Sequence, residues 1–244
     1  MNKDLPVALV TGGASGMGRA IVERMARDGF LVVMVDKNEA LAKQEAEVLQ
    51  AQGLAVEYRV TDITDETQVN ALVDELPPLA ALINNAGIFD ERAFDTVTAE
   101  DFRRMYDVNL IAVHLLTQAA VRKMRAGSKI VIIASRAYLG ARNHAHYVSS
   151  KAAAVGYTRA VAMELAPRGI LVNAIAPGLI DTPLLKSLTP ERRKAQEALQ
   201  PTGKAGRPED IANAVAFLAA PAMEFVTGQI LFVDGGKSLG GSYS

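Results

Sequence analysis

"PVALVTGGASGMGRA" (residues 6–20) carries a short apolar, β-branched segment into a turn containing Gly12, Gly16 and Gly18, and then into a helical pattern. Met17, Ile21, Val22, Met25 and Ala26 share one stripe of that helix. Strand, glycine turn and helix, in that order, open a strand–helix–strand unit. Glycines allow a tight turn and bring backbone N–H groups close to a bound anion, whose charge meets the positive end of the helix. A pyrophosphate is the anion this loop suits, although glycine turns between strand and helix also occur without one.

The same rhythm repeats outward from this stretch. Apolar runs recur at 31–36, 55–60, 79–84, 129–135, 170–176 and 229–234. Helical patterns fill 38–52, 101–124 and 147–166, the last two with broad apolar faces. Strands that are apolar almost throughout belong to a sheet covered on both faces. Alternating strands and helices imply right-handed crossovers and a parallel sheet. The expectation is therefore an α/β, Rossmann-type doubly wound sheet of seven mainly parallel strands with about six helices. It forms one dinucleotide-binding and catalytic domain over 1–244. The segment 181–206, "DTPLLKSLTPERRKAQEALQPTGKAG", is polar, long and punctuated by prolines, as a flexible flap over a site would be. The tail "KSLGGSYS" reads as frayed, or as ordered by a partner subunit.

Composition bounds the function. Half of the 244 residues are hydrophobic and 22% are charged, which suits a globular protein with a sizeable core. The net charge of −1 leaves no footprint for nucleic acid or an anionic membrane, and no apolar run is long enough to span a bilayer. There are no cysteines, so disulfides and thiolate metal sites are excluded. The N-terminus shows no signal-peptide pattern, and a cytoplasmic location is expected.

Asp36 ends the second strand, 18 positions after Gly18. A carboxylate there would accept hydrogen bonds from both adenosine ribose hydroxyls and repel a 2′-phosphate, which favours NAD over NADP. Its plainer reading is a helix cap or a solvated strand end. Lys37 would soften the discrimination. In "HAHYVSSKAAAVGY" (144–157), Tyr147 and Lys151 stand four residues apart and share a helix face.

With these residues in place, the chain resembles the short-chain dehydrogenase/reductase family over nearly its whole length. The resemblance rests on "TGGASGMG" (11–18), Asp36, "DI" (62–63), "NNAG" (84–87), Asn109, Ser135, "YVSSK" (147–151) and "PGLIDT" (177–182). It implies hydride exchange between a nicotinamide and a secondary alcohol or ketone, with Asn109, Ser135, Tyr147 and Lys151 catalytic. Tyr147 would exchange the hydroxyl proton, its pKa depressed by the Lys151 ammonium and by the nicotinamide. Lys151 would also hold the nicotinamide ribose, Ser135 the substrate oxygen, and Asn109 a water leading to solvent. Asn109 read without the resemblance satisfies a helix irregularity. The implied cofactor contacts are Gly12, Ser15, Gly16, Met17, Gly18, Asp36, Asp62, Ile63, Asn85, Ala86, Gly87, Pro177, Gly178, Ile180 and Thr182, beside Tyr147 and Lys151. No metal is required. A homotetramer is implied, with 101–124 and 147–166 as interface candidates.

One departure is that Ser135 and Tyr147 are 12 positions apart, one fewer than in many members, so the pocket wall between them differs. His144 and His146 read as packing or interface residues. Arg136 reads as salt-bridged or solvated, Tyr138 and Tyr157 as packing, and "PERRKAQ" (190–196) as a solvated face. Leu184, Leu185 and Leu188 would face substrate or form the buried stripe of a short helix. The rivals are a 3-oxoacyl-thioester reductase, which Asp36 opposes, and a silent NAD-binding sensor or scaffold, which an intact Ser–Tyr–Lys set opposes. An epimerase would need a further substrate domain.

Overall fold

The computed structural model describes residues 5–240, without the side chain of Leu184. Seven strands form one sheet: β1 (Val7–Thr11), β2 (Leu31–Asp36), β3 (Val56–Val60), β4 (Leu79–Asn84), β5 (Met124–Ile133), β6 (Leu171–Pro177) and β7 (Ile230–Val233). Their order is β3-β2-β1-β4-β5-β6-β7 and every pairing is parallel. The helices are α1 (Gly16–Arg27), α2 (Glu39–Ala51), α3 (Glu66–Asp74), α4 (Ala99–Tyr106), α5 (Ala112–Val121), α6 (Ala145–Leu165), α7 (Pro183–Lys186), α8 (Pro190–Ala198) and α9 (Pro208–Ala219).

The apolar runs are explained by two cores. Alternate strand residues such as Ala8, Val10, Val32 and Met34 pack with α1, α2 and α9 on one face. Their neighbours Val7, Leu9, Val33 and Val35 pack with α3, α5 and α6 on the other. Strand order reverses at β1, with β2 added on one side and β4 on the other, and the crevice above the C-terminal ends of β1 and β4 is where such sheets take ligands.

Three expectations need correction. The helix expected over 101–124 stops at Val121, because Lys123 and Met124 join the sheet: Leu79 N–H donates to the Lys123 carbonyl, and Met124 pairs with Leu79 and is buried. Within its span, Asp107–Ile111 widens into a π-helical turn, with Ala112 N–H reaching back to the Asp107 carbonyl. The segment 181–206, expected as a flap, is largely helical. It folds into α7 and α8, with Thr189 capping α8, Arg193 pairing with Asp181 (3.2 Å) and Arg192 with Glu91 (3.4 Å). Leu185 is buried and Leu188 half-buried, as in a packed stripe; the Leu184 side chain lies outside the described residues. Of the tail, 237–240 is described and turns around Asp234, whose carboxylate accepts from Gly236 N–H and from Ser238 N–H and Oγ; 241–244 lie outside the described residues.

Candidate active site

The end of β1 is built by close packing. Gly12 adopts φ +60°, a region L side chains rarely enter. A Cβ on Gly18 would lie 1.9 Å from the Gly12 carbonyl and 2.5 Å from Asn85 Nδ2, so only glycine lets α1 approach the turn. Asn85 ties the two loops together, donating from Nδ2 to the carbonyls of Thr11 (2.9 Å) and Gly12 (3.1 Å). Thr11 completes the tie: its Oγ1 accepts from Asn85 N–H (3.1 Å) and Ala86 N–H (3.0 Å). The sequence reading missed Thr11, although a hydroxyl at the end of the first strand was its visible signal.

These loops border a groove of about 390 Å³. Gly12, Ser15, Gly16, Met17, Gly18, Asp36, Asp62, Ile63, Asn85, Ala86, Gly87 and Thr182 all line it. Residues 170 positions apart in sequence, Gly12 and Thr182, thus meet in one cleft. Pro177, Gly178 and Ile180 do not line it. Gly178 is pressed against Asp234, where a Cβ would come within 2.6 Å of Asp234 Cα, and Ile180 is a core residue bridged to Gly206. Asp36 uses Oδ2 to accept from Ala14 N–H (3.2 Å) and Oδ1 from Asn38 N–H (3.0 Å), so its carboxylate also braces the glycine loop.

A dinucleotide fits this groove on two observations. Ser15 begins α1 without a side-chain cap, whereas Asn38, Asp65 and Thr98 cap α2, α3 and α4, so the first amides of α1 stay open to an anion. Asn85 Oδ1 is enclosed and has no protein partner.

None of the four residues expected to be catalytic lines this groove; Gly87, which does, adjoins Lys151 and Asn109. Ser135 follows β5 and its Oγ accepts from Ala137 N–H (3.1 Å). Tyr147, in the first turn of α6, has the Ser135 side chain beside its phenol, and its ring meets Phe89 edge-on with centroids 4.9 Å apart. Burial pushes the Tyr147 phenol above its ordinary pKa, and the Ser135 hydroxyl pulls the other way. The expected depressed phenol is therefore not produced by the chain's own groups.

Lys151 is buried and its Nζ donates to the Ile133 carbonyl (2.8 Å); burial brings its pKa down to about 8. Gly87 separates it from Asn109: a Cβ there would sit 3.3 Å from Lys151 Nζ and 3.0 Å from Asn109 Oδ1. Asn109 lies in the π-helical turn and grips Ile88 twice, accepting from its N–H (2.9 Å) and donating to its carbonyl (3.0 Å). Its Nδ2 also donates to Ser150 Oγ (3.1 Å). The irregular turn and the buried amide thus occur together.

The other residues divide. His146 is fully buried and pairs with Asp90; His144 stacks on Phe89. Arg136 is half-buried: its Nε is enclosed without a partner, and no carboxylate lies within 4 Å of it among the described residues, so it is not salt-bridged there. Tyr138 packs on Phe232, and Tyr157 lies against the second core with its hydroxyl 3.3 Å from His114 Nδ1. Among the described residues no helix is long and apolar enough to cross a membrane, and no cluster of three or more His, Cys, Asp or Glu could hold a metal ion.

This geometry has close counterparts. A family model described as enoyl-(acyl carrier protein) reductase matches residues 12–238. The (2S)-[(R)-hydroxy(phenyl)methyl]succinyl-CoA dehydrogenase subunit BbsD of Thauera aromatica is 41% identical over 239 residues, 96% of each chain. The 3-oxoacyl-[acyl-carrier-protein] reductase FabG of Vibrio cholerae is 36% identical, covering 97% of this chain and 98% of that one. Among solved structures, a blue fluorescent protein from a metagenomic library, in complex with NADPH, superposes with a TM-score of 0.90. It is 36% identical and covers 98% of this chain and all of that one.

Proposed function

The chain belongs to the short-chain dehydrogenase/reductase family of oxidoreductases, and from that premise we propose that it interconverts a secondary alcohol and a ketone with NAD as cofactor. The observation that carries this reading is the Lys151 ammonium, buried one helical turn after Tyr147 and set against Gly87, which lines the glycine-loop groove, with Ser135 beside the Tyr147 phenol. The nicotinamide, when bound, supplies the hydride acceptor or donor.

Ser135 orients the substrate oxygen beside Tyr147. The phenol, held above its ordinary pKa, is protonated at neutral pH and gives its proton to the carbonyl oxygen in reduction; in oxidation it receives the hydroxyl proton. Lys151 holds positive charge below Tyr147, and its pKa near 8 lets it pass a proton on close to neutral pH. Asn109 and Gly87 close the inner wall, where a water would link Lys151 to solvent. Apolar side chains left exposed, Met163 on α6 (80%) and Phe225 (101%), support the homotetramer that the family implies.

Asp36 supports NAD. Its carboxylate lines the groove, where it would meet the ribose, and would repel a 2′-phosphate. Asp36→Ala is expected to raise KM for NADH about tenfold or more, in line with the loss of charge-assisted hydrogen bonds, and to lower KM for NADPH. Initial rates with both cofactors measure this; an unchanged ratio would remove Asp36 from the argument.

The relatives frame the substrate. One carries a CoA thioester in its named substrate and the other reduces an acyl-carrier-protein thioester, so a 3-oxoacyl-thioester reductase is the second reading. NADH consumption by the purified protein over aliphatic, cyclic, aromatic, sugar-derived and acyl-thioester ketones, with NADPH in parallel, tests both. Turnover of simple ketones with NADH supports the first, and turnover confined to thioesters with NADPH replaces it with the second.

A further inference from the structure

The segment after β4 is fastened to the Tyr147 region at successive residues. Asn109 holds Ile88. Phe89 sits between the rings of His144 (5.0 Å) and Tyr147 (4.9 Å). Asp90 pairs through Oδ1 with His146 Nε2 and through Oδ2 with Arg104. Arg92 N–H donates to the Asn143 carbonyl (2.9 Å).

The His146 contact stands apart from the rest. Its ring is 0% exposed, and the second nitrogen, Nδ1, is enclosed with no partner. An unsatisfied buried nitrogen costs free energy that an aliphatic side chain of similar size would avoid. Packing alone therefore does not account for a histidine here. What the imidazole adds is one directed bond, from the residue immediately before Tyr147 to a residue three positions beyond Gly87.

The surrounding charges make that bond specific. Asp90 also faces Arg92 at 3.9 Å, and Arg92 lies 3.8 Å from Asp101. The Phe102 ring covers the imidazole at 6.1 Å. Two carboxylates and two guanidiniums thus define one seat for the ring.

We infer that His146 and Asp90 form a positioning pair, which fixes the first turn of α6 against the loop after β4 and so sets the Tyr147 hydroxyl relative to the groove at Gly87. His146 touches no reacting atom; it acts through Tyr147. The inference rests on the proton-transfer role proposed above for Tyr147.

The test compares His146→Leu, His146→Gln and Asp90→Asn in the full chain. Leucine fills the seat without a donor, whereas the glutamine amide reaches the place of Nε2. His146→Leu is expected to lower kcat about 10- to 100-fold, the scale of a small displacement of a reacting group, with KM for NADH unchanged. Amide exchange across 88–92 and the first turn of α6 should quicken, and His146→Gln should recover most of both losses. Wild-type kcat and exchange in His146→Leu would overturn the inference, as would a kcat loss that glutamine does not recover. If His146→Leu does not fold, Asp90→Asn decides: lowered kcat at constant KM supports the pair, and unchanged kcat overturns it. A wild-type protein silent on every ketone would refute the proposed function instead, while the exchange comparison would still judge the pair.

Discussion

Tyr147→Phe is expected to lower kcat by about 10²- to 10⁴-fold, the range of a lost general acid–base group, and to leave cofactor binding unchanged. At 1.36 kcal/mol per tenfold this is about 3–5 kcal/mol of transition-state stabilisation. The reason for so clean a separation is local. The ring keeps its edge-on contact with Phe89, and the substitution removes only the oxygen that Ser135 meets. Because burial holds the phenol above its ordinary pKa, the proton is present throughout neutral pH. Reduction should therefore hold its rate through neutral pH and decline as Lys151 loses its proton near pH 8, before the phenol itself titrates. Steady-state rates from pH 6 to 10, with NADH binding followed by fluorescence, measure both parts. A variant that retains turnover would end the proton-transfer assignment outright.

Much of this site was legible because its signals are local in sequence. A strand–glycine–helix order fixes a crevice, and seven apolar runs fix a covered sheet. Twelve of the expected cofactor contacts line one groove, since each sits at a strand end or loop whose place the topology dictates. What escaped depends on pairings that sequence spacing does not encode. Val121 ends its helix because Met124 finds Leu79 some forty residues away in the chain. Polar composition made 181–206 look like loose chain, but Arg192 and Arg193 anchor its helix to Glu91 and Asp181. Arg136 reads from sequence as an ordinary surface cation, and only three-dimensional packing leaves its Nε enclosed. At Tyr147 the neighbouring charge could be read from the i, i+4 spacing, whereas the burial that opposes ionisation could not.

Lys151→Met should produce the opposite signs for activity and stability. Burial lowers the folded-state pKa of Lys151 from 10.5 to about 8. At neutral pH the buried ammonium therefore costs about 3 kcal/mol relative to the unfolded chain. Methionine has a similar length and carries no charge, so this cost disappears. The Ile133 carbonyl loses its donor in exchange, at roughly 1–2 kcal/mol. A net gain of about 1–2 kcal/mol remains, a rise in Tm of about 3–6 °C for a chain of this size. Between pH 8 and 10.5 the unfolded lysine holds a proton that the folded one has released, so this group makes wild-type stability increase with pH across that window. The advantage of Lys151→Met should therefore be largest below pH 8 and reverse toward pH 10.5, where only the lost bond to the Ile133 carbonyl remains, at about 1–2 kcal/mol. Over the same comparison kcat/KM should fall at least about 100-fold, because among the described residues no other ammonium is buried beside Tyr147 to hold charge and pass the proton. Thermal melts of both proteins at pH 7 and pH 10, alongside initial rates, test the pair of effects. A variant less stable than wild type by the same margin at both pH values would mean that Lys151 is a packing residue whose charge the fold does not resist. A variant that is more stable and inactive would mean that the protein keeps a destabilising buried cation because the chemistry at Tyr147 needs one.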